Sequence, residues 1–140
     1  MRPETLARLH ARCFTRAPRP WSAAEFAGLL AQPECHLSAL PEGFALGRSV
    51  AGEAELLTLA VAPEARRQGL GRRLTATFEA EAWTRGAREA FLEVAEANLP
   101  AQALYTALGW RAAGLRRGYF GPGIDAIVMR KDLLPPGSKA

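Results

Sequence analysis

The segment from Glu55 to Phe78 constrains the fold more than any other part of the chain. Glu55-Leu56-Leu57-Thr58-Leu59-Ala60-Val61 is apolar enough for a buried strand, and Pro63 closes it. Arg66-Arg67-Gln68-Gly69-Leu70-Gly71-Arg72-Arg73 follows, after which Leu70, Leu74 and Phe78 recur at helical spacing. A buried strand that bends through two glycines into a helix requires a sheet with helices packed on it. The first N–H groups of that helix lack partners within it, so the bend suits an anion, and four arginines add positive field. An ordinary helix start with solvated arginines is the alternative. No Gly-Lys-Ser/Thr is present for a P-loop, and no third glycine completes a dinucleotide-binding turn.

The flanking segments extend this pattern. Pro3 starts a helix carrying Leu6, Leu9, Cys13 and Phe14. Ser22 and Glu25 form a capping box with Trp21 placed to staple onto Phe26, which predicts a helix to about Gln32, before Pro33. His36–Leu40 and Gly43–Val50 read as short strands around a Pro-Glu-Gly turn, and Glu89–Val94 as another. The Leu70 helix ends at Gly86, and Asn98 caps one running to Leu108 and Gly109. Trp110–Arg117 and Ile124–Lys131 predict a closing antiparallel pair. The order implies an α/β fold with a mixed sheet covered on both faces.

At 140 residues, 49% hydrophobic and 23% charged, the chain reads as one globular domain over residues 1–134 with a loose tail at 135–140. No apolar run approaches the roughly 20 residues of a membrane span, and arginines interrupt the N-terminus where a secretion signal needs apolar residues. A cytoplasmic setting is expected. The net charge of +4 comes with arginines scattered outside the one cluster, without the interleaved aromatics of a nucleic-acid surface. Cys13, Cys35, His10 and His36 have no metal-ligand spacing, so no metal is expected.

The run Arg66-x-x-Gly69-x-Gly71 after a buried strand resembles the acetyl-CoA pyrophosphate loop of the GCN5-related N-acetyltransferases. Phe91-Leu92-Glu93-Val94, Asn98 and Ala103-Leu104-Tyr105-Thr106-Ala107-Leu108-Gly109-Trp110 look like the subfamily that acetylates protein N-termini, ribosomal proteins included. Arg116-Arg117-Gly118-Tyr119-Phe120 is similar to its basic-aromatic segment before the last strand. The resemblance implies the family's acyl-CoA N-acyltransferase fold, with acetyl-CoA and a protein N-terminal peptide as substrates. It further implies that the backbone of Leu59, Ala60 and Val61 pairs with pantetheine. Arg66, Arg67, Gln68, Gly69, Leu70, Gly71 and Arg72 would then hold the pyrophosphate.

By the same resemblance, Glu93 deprotonates the amine through water and Tyr105 protonates the leaving thiolate. The residues alone leave alternatives open. Glu93 interrupts an apolar strand and is either an edge group facing solvent or a buried carboxylate put to use. Tyr105 is either the acid or a core aromatic beside Leu104 and Leu108. Asn98 caps its helix with or without touching the cofactor, and it lies on one helix face with Tyr105.

The chain also departs from the pattern. The family's first strand is short or missing, which leaves the His36–Leu40 edge exposed or covered by a second copy in a homodimer. Thr58 stands where the subfamily carries Asn, and Tyr119-Phe120 replaces a tyrosine pair. A small-molecule amine acetyltransferase shares the same scaffold. So does an acyl-CoA-binding module without catalysis, against which Glu93 and Tyr105 argue.

Overall fold

Short-range chemistry sets the ends of the helices. A computed structural model describes residues 1–14 and 19–137. It contains α1 (Pro3–Cys13), α2 (Ala23–Leu30), α3 (Leu70–Thr84) and α4 (Leu99–Ala107), with a 3₁₀ turn at Pro63–Ala65. Pro3 opens α1, the Ser22–Glu25 capping box opens α2, and Asn98 caps α4 by accepting from the Ala101 N–H. The Trp21 and Phe26 rings meet at 5.5 Å, as the staple predicts. Gly69, with φ of 78°, begins α3 in a left-handed conformation that favours glycine.

The strands are β1 (Cys35–Leu40), β2 (Gly43–Val50), β3 (Glu53–Val61), β4 (Glu89–Ala95), β5 (Arg111–Arg116) and β6 (Ala126–Asp132). They form one sheet in the order β1-β2-β3-β4-β6-β5. Only β3 and β4 pair in parallel, so the sheet is mixed as expected. Among the described residues no strand precedes α1, which leaves β1 as an edge.

Apolar residues of the central strands bury on two sides. Leu6, Leu9, Phe26, Phe44, Leu46 and Ala60 form a core with α1 and α2. Leu56, Leu74, Phe78, Leu92, Tyr105, Trp110 and Met129 form the other, with α3. Phe78 lies so close to the sheet that a Cβ on Gly47 would sit 2.4 Å from its ring. The expectation of a sheet covered on both faces fails at β5, which is exposed at all six positions. Arg111-Ala112-Ala113-Gly114-Leu115-Arg116 offers too little apolar surface to hold a helix against it. At the C-terminus Leu133 is buried and Leu134 exposed, and residues 138–140 of the expected tail lie outside the described residues.

The sheet parts in its middle. Parallel pairing runs from Glu53↔Glu89 to Leu56↔Leu92 and stops, although both strands continue. Beyond that point β3 remains paired with β2, and β4 with β6. The register gives the cause. Gly47 pairs with Leu56 but Leu46 with Thr58, so Leu57 is an extra residue on β3. Such a bulge bends its strand and disrupts the ladder. Leu57 joins the α1–α2 core and Thr58 bonds to α1, so two successive side chains share one face, while Leu59 packs on the α3 side.

Candidate active site

The parting of β3 and β4 opens a cleft of about 690 Å³. Leu56, Leu57, Thr58 and Leu59 line one wall, and Leu92, Glu93, Val94 and Ala95 the other. Asn98, Ala101, Leu104 and Tyr105 of the α4 region also line it, as do Tyr119, Phe120, Phe14, Arg19 and Trp21. Four sequence-predicted residues, Leu59, Glu93, Asn98 and Tyr105, therefore converge on one space.

Glu93 is not an edge group. Its strand lies between β3 and β6, and its side chain is only 9% exposed. Arg116 Nη1 donates to Oε1 at 2.8 Å, whereas Oε2 is buried and has no hydrogen-bond partner among the described residues. A buried carboxylate oxygen without a donor is costly, and a substrate N–H group in the cleft would satisfy it. The Arg116 guanidinium also stacks over the Tyr119 ring at 4.3 Å. Burial, and then the nearby Glu93 carboxylate, push the Tyr119 phenol up from its ordinary value.

Tyr105 is a core aromatic that also borders the cleft. The ring is buried in the α3-side core, 5.9 Å from the Trp110 ring, yet it also lines the cleft. Burial pushes its phenol well above the usual tyrosine value, so the group stays protonated. The Asn98 side chain is occupied in capping α4 while lining the same cleft.

The arginine-rich bend lies beside the cleft rather than in its lining. Arg66, Arg67, Gln68, Gly69 and Arg72 are exposed, and Arg66 Nε donates to the Val61 carbonyl at 3.2 Å. Arg67 is left-handed at φ 66°, as is Gly69 at 78°. Among the described residues no side chain caps the start of α3, so its first-turn N–H groups stay open to a ligand. Leu70 and Ala60 bury their side chains in the α1–α2 core, so only their backbone can serve a ligand. Gly71 joins bend to cleft, since a Cβ there would come within 3.1 Å of the Leu104 side chain.

Two features escaped the sequence. His10, which has no metal spacing, is fully buried among Phe14, Trp21 and Phe26. Its Nδ1 accepts from the Trp21 N–H at 3.1 Å, so Nε2 carries the proton and donates to Thr58 Oγ1, also at 3.1 Å. This fixes the bulge from behind. Desolvation lowers the His10 pKa to about 4. The second is Glu55, a strand residue whose alternation looked ordinary but which lines the cleft.

A parted sheet with an open helix start beside the gap, and a carboxylate and a phenol within it, has the parts of an acyltransferase using an anionic donor. The chain belongs to the acetyltransferase (GNAT) family, whose model matches residues 4–110. It is 37% identical over 118 residues to the [ribosomal protein bS18]-alanine N-acetyltransferase of Escherichia coli (strain K12), covering 79% of each chain. It is 36% identical over 136 residues to the N-alpha-acetyltransferase RimI of Mycobacterium tuberculosis, covering 90% of this chain and 84% of that one. The crystal structure of the Escherichia coli ribosomal-protein-S18-alanine N-acetyltransferase superposes with a TM-score of 0.75 at 33% identity, covering 96% and 90% of the two chains.

Proposed function

We infer that this protein transfers the acetyl group of acetyl-CoA to the N-terminal α-amine of a protein, an alanine-starting ribosomal protein being the favoured substrate. The observation that carries the reading is the buried Oε2 of Glu93, without a partner among the described residues, in a cleft that Tyr105 also lines. The relatives named for ribosomal-protein N-terminal acetylation support it, and a ribosomal substrate sets the reaction in the cytoplasm.

In this reading the pyrophosphate rests on the start of α3, with Arg66, Arg67 and Arg72 around it. Pantetheine runs along Leu59–Val61, where β3 has lost its partner strand. The substrate ammonium gives a proton to Glu93. Its nitrogen then attacks the thioester carbon, the C–N bond forms, and the C–S bond breaks. Tyr105 gives its proton to the departing thiolate, and the second proton shed by the new amide nitrogen returns to the Tyr105 phenolate. An α-amine with a pKa near 7.7–8.0 asks little of the base, whereas a lysine near 10.4 asks much more. The unpaired edge of β1 is the surface through which two copies would associate.

The test is mass spectrometry of an alanine-starting peptide that also contains lysine, incubated with protein and acetyl-CoA. One acetyl group on the α-amine supports the reading. Acetylation confined to lysine, or none at all, refutes it.

A further inference from the structure

His10 is a buried titratable group that the reaction above leaves unused, and its hydrogen bonds have a direction. Its Nδ1 accepts from the Trp21 backbone N–H at 3.1 Å, a partner that can only donate. The Nε2 proton is therefore committed to Thr58 Oγ1, also at 3.1 Å. Burial keeps the ring neutral, with a pKa of about 4, so this arrangement persists through the range in which an α-amine titrates. Phe14, Trp21 and Phe26 pack around the imidazole and hold it in place.

The consequence falls on Thr58. A hydroxyl accepts through its lone pairs and has one proton to give. Oγ1 accepts from His10, so its own proton must go to a different acceptor, and among the described residues nothing else hydrogen-bonds to it. Thr58 is only 8% exposed, and it lines the cleft. Its place along β3 names the acceptor. In the reading above, the pyrophosphate rests at the start of α3 and pantetheine runs from Val61 back to Leu59. The thioester end of the molecule therefore reaches Thr58 next, in a space that Glu93 and Tyr105 also line. The extra residue at Leu57 lies immediately before it, where β3 has already parted from β4.

We propose that the Thr58 hydroxyl donates a hydrogen bond to the thioester carbonyl oxygen, with His10 as the positioning residue that turns it there. This rests on the acetyl-CoA reading above. When the amine nitrogen attacks the carbonyl carbon, the π electron pair moves onto that oxygen. The hydroxyl stabilises the developing charge without giving up its proton, and the pair returns as the C–S bond breaks. His10 touches no reactant. Its Nε2–H occupies a lone pair of Oγ1, so the hydroxyl proton cannot turn back toward α1.

The test compares the parent with Thr58→Val, Thr58→Ser, His10→Asn and the double variant His10→Asn/Thr58→Val. Infrared spectra of bound acetyl-CoA, isotope-labelled at its carbonyl carbon, report the hydrogen bond without turnover. The carbonyl stretch should lie lower in the parent than in Thr58→Val. On an alanine-starting peptide, Thr58→Val should lose about 10- to 10²-fold in kcat, the scale of one hydrogen bond to a charged oxygen, with both KM values little changed. Thr58→Ser should regain most of that loss. His10→Asn keeps an acceptor for the Trp21 N–H but no donor for Thr58, so kcat should fall by less, and adding it to Thr58→Val should cost nothing more. The double variant leaves no imidazole N–H without an acceptor, so it carries the comparison if Thr58→Val does not fold. An unchanged carbonyl stretch overturns the proposal, as does a raised peptide KM at unchanged kcat, which would make the hydroxyl a peptide ligand. Additive losses in the double variant also overturn it, because His10 would then act on the fold and not through Thr58. A parent that binds acetyl-CoA but leaves the α-amine unmodified sinks the reading of the acceptor alone, and the infrared comparison still decides the role of Thr58. A parent that does not bind acetyl-CoA sinks both.

Discussion

Replacing Glu93 with Gln keeps the shape of the side chain and an oxygen for Arg116, but removes the group that accepts the amine's proton. The effect should depend on how much substrate arrives already deprotonated. An α-amine with a pKa near 7.7–8.0 is roughly 1–2% free base at pH 6 and roughly 90–95% at pH 9. Ionisation of the substrate alone therefore supplies about 50- to 90-fold more nucleophile across that range. A positioned base contributes about 10²- to 10⁴-fold. Glu93→Gln should thus fall by about that factor at pH 6, with the deficit narrowing by up to about 50- to 90-fold by pH 9. The assay is kcat/KM for an alanine-starting peptide at saturating acetyl-CoA, measured every half unit from pH 6 to 9. Thermal unfolding of both proteins checks that the core is intact. Parallel profiles for parent and variant would refute the base assignment, because a lost electrostatic or packing contact lowers the rate equally at every pH.

Tyr105→Phe keeps the packing against Trp110 and deletes only the hydroxyl, so kcat should drop about 10²- to 10⁴-fold with acetyl-CoA affinity unchanged; turnover like the parent's would make Tyr105 a core residue alone. Gly71→Val pushes a branched side chain toward Leu104 at the start of α3 and should abolish acetyl-CoA binding in calorimetry, while binding by the parent should weaken as salt screens the exposed arginines. Neutral His10 has a folded pKa of about 4 against 6.5 unfolded, so its contribution to stability is complete above pH 6.5 and is lost as pH falls toward 4. The melting temperature should decline through that window, and His10→Gln should flatten most of the decline, His36 (also lowered by burial) accounting for the remainder. The bare edge of β1 should give concentration-dependent association in light scattering, and a strict monomer at high concentration would show that the edge is protected.

The sequence alone determined the order of elements, the capping of α2 by Ser22 and Glu25, the start of α4 at Asn98, and the arginine-rich bend into α3. Each depends on groups within a few residues of one another, so their spacing along the chain carries the geometry. Glu93, Asn98 and Tyr105 were legible as a group because one strand-to-helix connection carries all three. The tertiary structure decided the rest. The extra residue at Leu57 exists only in the register of β3 against β2, and nothing in Leu56-Leu57-Thr58 marks it. That register parts the sheet and brings Glu55 beside Glu93. Arg116 reaches Glu93 across 23 positions, and His10 reaches Thr58 across 48. Side chains so distant in sequence meet only through strand register and helix packing, which are set by how the whole core closes rather than by any local pattern.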